Sequence, residues 1–153
     1  MKALTLLDEI KENIKDYPIE NLKKKINNPN YPDNIYKRLA IYNSNNYDEI
    51  FTIKLDENTT ISEKRVKLMK TDLDNYLNQY NPGDKIDNKF TKYISLYLVF
   101  IAKKPLHPFG NPQDYRVYQL DETFYCKDRV KYLKDNDSLC RFCVCKNAAY
   151  PYF

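Results

Sequence analysis

Residues 87–103, DNKFTKYISLYLVFIAK, constrain the fold more than any other stretch of the chain. Phe90, Tyr93, Ile94, Tyr97, Leu98 and Ile101 recur at three- and four-residue spacing and make one helical face. Leu96, Val99 and Phe100 make the opposite face apolar as well. A helix that is apolar nearly all round has no side to give to water, so it belongs at the buried centre of a bundle. The alternative is that its second apolar face meets a partner subunit in a homo-oligomer.

The segments before it supply the surrounding helices. In ALTLLDEIKENIKDY, Leu4, Leu7, Ile10 and Ile14 follow helical spacing until Pro18. Ile19, Leu22 and Ile26 mark a short second helix closed by NNPNYP. A third starts at Pro32 with Ile35, Leu39 and Tyr42, and the polar NSNN at 43–46 is expected to interrupt it before Tyr47, Ile50 and Phe51. From Ser62, the residues Val66, Met69, Leu73, Tyr76, Leu77 and Tyr80 form one stripe that NPG at 81–83 stops. The expectation is a mostly α fold, one domain over 1–153, with a helical bundle at 1–104 and a Cys- and His-bearing clasp at 105–153.

Composition removes several functional classes. Two glycines among 153 residues, Gly83 and Gly110, cannot write a P-loop or a dinucleotide fingerprint. The formal charge of +4 is mildly basic. Lys23, Lys24 and Lys25 form the densest basic run, followed by Lys103-Lys104, and with the tyrosines they are the candidate nucleic-acid contacts. Most of the tyrosines fall on the apolar stripes, which weakens that reading. MKALTLLDEIKE meets Asp8 and Glu9 before an apolar targeting core forms. The run from Tyr93 to Ala102 is far shorter than the roughly 20 residues of a membrane span. A cytoplasmic, reducing setting without a membrane partner is expected, and it favours cysteines as ligands or thiols over disulfides.

Helicity stops at Pro105. KPLHPFGNPQDY reads as an irregular loop, YRVYQL and TFYC as two short strands about Asp121-Glu122, and Ser138 as the cap of a last short helix from Leu139. This third of the chain holds the single histidine and all four cysteines: His107, Cys126, Cys140, Cys143 and Cys145. The helical part holds none of them.

Cys140 and Cys143 have C-x-x-C spacing, which lets two thiolates face one point. Cys126 and His107 can supply the other corners of a tetrahedral Cys₃His zinc site. Four protein ligands close such a site, which makes it structural, clasping three segments with few apolar residues between them. Cys145 is the awkward member: in a helix it points away from Cys143, whereas in an extended segment it can replace His107 and give a Cys₄ site. Four thiolates also suit an iron–sulfur cluster. Redox thiols, plain buried cysteines and a hydrogen-bonded loop histidine at 107 remain alternatives. An open three-thiolate site with Asp121 or Glu122 as base, or a Cys–His nucleophile, would make an enzyme, but no spacing favours a catalytic set.

HPFG at 107–110, FYC at 124–126 and LCRFCV at 139–144 resemble, in this order, the motifs of an uncharacterised family of methanogenic archaea known as domain of unknown function 2115. The resemblance covers about the last fifty residues. It implies that His107, Cys126, Cys140 and Cys143 belong to one recurring set in an archaeal cytoplasmic protein. It places Cys145 outside the set, and it lends no activity. NPQDYRVY after the histidine loop is poorer in Gly and Pro than the family pattern.

Overall fold

A computed structural model describes residues 1–110, 116–132 and 138–147. Among these residues, six helices and three short strands follow in the order α1 Ala3–Ile14, α2 Ile19–Ile26, α3 Ile35–Ile50, α4 Glu63–Tyr80, α5 Lys85–Tyr97, β1 Val117–Leu120, β2 Thr123–Cys126, α6 Arg129–Tyr132 and β3 Lys146–Asn147. The fold is mostly helical, with a small three-stranded sheet near the C-terminus.

The apolar stretch is the centre of the bundle. Helix α5 packs against α1, α3 and α4, and Phe90, Ile94, Leu96, Tyr97, Leu98, Val99 and Phe100 are all buried. The helix begins at Lys85, two residues before the expected Asp87, because the Asp84 carboxylate accepts from the Asp87 N–H at 3.0 Å and caps it. Its last turn, Leu98–Ala102, widens into a π-helix, and Lys103 then turns left-handed at φ 54°. That exit leads into Pro105 and the histidine loop, which Tyr42 of α3 contacts.

The expected break at 43–46 is absent: α3 runs unbroken from Ile35 to Ile50. Asn and Ser are indifferent helix formers because their side chains compete for backbone groups. Here burial of two of them and a long-range bond to Asn46 favour the helix. Ser44 and Asn46 are buried, Asn46 Nδ2 donates to Tyr42 O at 2.8 Å, and Asn46 Oδ1 accepts from Lys104 Nζ at 3.2 Å. Lys104 also pairs with Glu49 at 2.7 Å, and Glu49 accepts from the Tyr97 hydroxyl at 2.5 Å. This network ties α3 to the end of the central helix.

The two expected strands form an antiparallel hairpin in the register Val117↔Cys126 to Leu120↔Thr123, with Asp121 at positive φ in the two-residue turn. The short helix lies at 129–132 rather than from Leu139. Ser138 Oγ accepts from the Cys140 N–H at 3.1 Å, but the chain makes only turns before becoming extended. Residues 146–147 then pair in parallel with β2, Cys126 opposite Asn147, and a helix cannot provide that pairing. Phe142 is buried in the main core, and Arg141 forms an ion pair with Asp72 of α4. These contacts seat the cysteine segment on the bundle.

Candidate metal centre

The HPFG loop is built residue by residue. Pro108 is buried, and Phe109 stands edge-on between Tyr42 of α3 and Phe124 of β2, with ring centroids at 5.9 and 4.8 Å. Gly110 adopts φ 84°, where a side chain would be strained. The Tyr42 hydroxyl donates to Pro105 O at 2.6 Å. The loop is therefore pinned from both sides, and His107 is held at its crest.

Between the bundle and the C-terminal sheet lies a cavity of about 510 Å³. His107, Cys126, Cys140, Cys143 and Cys145 all line it. Five residues spread over 39 positions of sequence thus share one wall system, and none of the four cysteines is disulfide-bonded. Among the described residues, no group of three or more His, Cys, Asp or Glu side chains converges as a metal coordination sphere.

The electrostatics differ from sulfur to sulfur. Cys143 is drawn down to about 6, first because the Cys145 thiol donates a hydrogen bond to its sulfur. Burial opposes this, while the backbone N–H groups of Leu106 and Cys145 and the charge of Arg129 assist it. Cys145 is pushed far above the ordinary thiol range by the same hydrogen bond and by burial. Burial also raises Cys126, against the pull of the backbone N–H groups of Asp128 and Arg129. His107 is exposed to solvent at the cavity, yet crowding by protein atoms and the nearby Arg116 charge lower its pKa, and Asp128 partly offsets them.

These features fit a metal donor set in kind. A thiolate ligand needs its negative charge stabilised, and inward-pointing backbone N–H groups supply that without a competing side chain. A neutral imidazole keeps a lone pair for a metal. Arg129 sets a positive charge beside Cys143 and Cys145, which counters the net negative charge of a multi-thiolate centre.

Reading the sequence alone set Cys145 apart; in the structure it is the hydrogen-bond donor to Cys143 and lines the same cavity. Arg116, Asp128 and Arg129 were missed, because charges in a short polar stretch carry no periodicity. Asp121 and Glu122 are exposed at the hairpin turn and do not line the cavity. Nor do Lys23, Lys24 and Lys25 on α2: Lys23 pairs with Asp48 at 2.8 Å, and Lys25 lies over the Tyr31 ring.

The sequence model of domain of unknown function 2115, described as an uncharacterized protein conserved in archaea, matches residues 2–148. The chain belongs to that family. The match extends through the helical bundle, where no motif was legible. A UPF0305 protein of Methanocaldococcus jannaschii is 28% identical over 96% of this chain and 97% of its own length. A second, from Methanothermobacter thermautotrophicus, is 30% identical over 64% of this chain and 63% of its own. A third, from Methanococcus maripaludis, is 34% identical over 39% and 37%. No solved structure matches the chain. No described helix is long and apolar enough to cross a membrane.

Proposed function

We propose that this family member is a metal-binding protein whose cysteine-lined cavity holds one zinc ion through thiolates of Cys126, Cys140 and Cys143 and the imidazole of His107, with Cys145 as the alternative fourth donor. The observation that carries the reading is the gathering of all five N and S donors on one cavity, unpaired by disulfides. The Cys145 thiol and the backbone N–H groups that favour charge on Cys143 support it. Four protein ligands would close the coordination sphere and make the role structural, joining the histidine loop, the hairpin and the cysteine segment. Loading would require the donors to draw together across the cavity.

The test is elemental analysis of anaerobically purified protein, followed by cobalt substitution. About one zinc per chain is expected, and the cobalt form should show thiolate charge-transfer and tetrahedral visible bands. Cys126→Ser and Cys143→Ser should each abolish loading. Comparing His107→Ala with Cys145→Ser then identifies the fourth ligand. Iron with visible colour would replace zinc with an iron–sulfur cluster. Folded, metal-free protein that takes up neither metal would end both metal readings. The Cys143–Cys145 pair would then stand as a redox dithiol, as their mutual hydrogen bond allows.

A further inference from the structure

The cavity measures about 510 Å³, and most of the residues that line it are not metal donors. That volume falls in the range of roughly 300–1,000 Å³ in which proteins hold small organic molecules. The walls other than the cysteines and histidine divide into two kinds. Leu39, Ile94 and Leu98 give an apolar floor, with the rings of Tyr76 and Tyr80 packed together at 4.7 Å and Tyr132 across the opening. Tyr80 and Tyr132 are both exposed, which places them where the cavity meets solvent.

The other wall carries two guanidinium groups, Arg116 and Arg129, against the single carboxylate of Asp128. Arg116 Nε is paired with Asp128 at 3.1 Å. Arg129 lies beside Cys143 and Cys145 and has no carboxylate partner among the described residues. Its Nε is buried without a hydrogen-bond partner, and its Nη1 reaches Asn147 Oδ1 only at 3.5 Å. A buried guanidinium N–H without an acceptor is costly, and a planar oxyanion satisfies it through two parallel hydrogen bonds.

We propose that the cavity binds a small organic carboxylate with a flat apolar body: the carboxylate on Arg129, the body against Tyr76, Leu39 and Leu98. An apolar body suits the floor, a planar one suits the tyrosine rings, and the partnerless Nε of Arg129 calls for an acceptor such as a carboxylate. The inference does not rest on bound metal, since none of these residues is a metal donor.

The probes are 2-naphthoate and its neutral isostere 2-naphthamide, titrated calorimetrically into the full chain both as purified and after metal stripping. One naphthoate per chain is expected, bound at least about ten-fold more tightly than the amide. Arg129→Gln should remove most of that preference, and Tyr76→Ala should weaken both ligands alike. Should the glutamine variant not fold by circular dichroism, Arg129→Lys keeps the charge, loses the fork and is expected to retain only part of the preference. Equal binding of acid and amide, or binding of neither, would overturn the proposal. So would a preference that survives substitution of Arg129, because Arg129 would then be only a counter-charge to the thiolates. Naphthoate binding by a metal-free chain would sustain this inference while the zinc reading fails; a zinc-loaded chain that ignores naphthoate would do the reverse.

Discussion

Cys143 and Cys145 are two residues apart and of the same type, yet their protonation is driven in opposite directions. The Cys145 thiol donates to Cys143, so one sulfur is readied to lose its proton and the other to keep it. In metal-free protein, Cys145→Ala should therefore move the midpoint of Cys143 alkylation from about 6 toward the ordinary thiol value of about 8.5. Mass-spectrometric labelling against pH reads this directly; an unmoved midpoint would show that Cys145 is not the cause. At Glu49 the direction is also set by partners. Partial burial raises its pKa, but hydrogen bonds from Lys104 and Tyr97 hold the carboxyl below its ordinary value. Its contribution is fully present above the unfolded carboxylate pKa and is lost as pH falls through the folded one. Glu49→Gln should cost about 1 kcal/mol at pH 7, discounted for partial exposure. The gap from the parent protein should narrow in acid, where the parent's carboxyl is itself neutral. Urea denaturation at both pH values checks it, and a gap that widens in acid would contradict the assignment.

Among the elements, the cysteine segment depends on a single large anchor. Phe142 is 4% exposed and joins the core formed by α1, α4 and α5, while the strand that follows is only two residues long. Phe142→Ala should cost about 3–5 kcal/mol, the usual range for emptying a buried aromatic site. If the segment detaches before the bundle melts, hydrogen exchange should accelerate at 138–147 while α1, α4 and α5 keep their protection. Uniform acceleration would instead mean that segment and bundle unfold together. Elements that depend on local signals were legible: the start of α4 at Ser62, its stop at 81–83 and the hairpin about Asp121-Glu122, although the Asp84 cap that starts α5 two residues early was missed. Elements that depend on distant partners were not. The continuity of α3 through NSNN needs Lys104, 58 positions from Asn46, and the strand at 146–147 needs the edge of β2.

For the whole molecule, zinc binding would couple the C-terminal region to the bundle. A ligand that binds only the folded state stabilises it by about 2.7 kcal/mol at a free concentration one hundred times its Kd. Zinc should accordingly raise the melting temperature by several degrees, and a chelator should reverse the rise. The gain in hydrogen-exchange protection should concentrate in 105–110, 117–126 and 138–147. Stabilisation without that localisation, or stabilisation that persists undiminished in Cys126→Ser, would point to adventitious binding, and none in the parent would end the zinc reading.

The helical bundle was written in the sequence because it rests on periodicity: an all-round apolar stretch has one place to go, and its neighbours carry matching stripes. The motif residues were legible as a set because cysteine and histidine are scarce and clustered. Tertiary structure alone decided how that set is arranged. It brought Cys145 onto Cys143, turned a π-helical exit and a left-handed Lys103 toward the histidine loop, and placed Arg129 beside the sulfurs. Those outcomes depend on how the backbone is turned and seated by the elements around it, about which spacing along the chain carries no directional information.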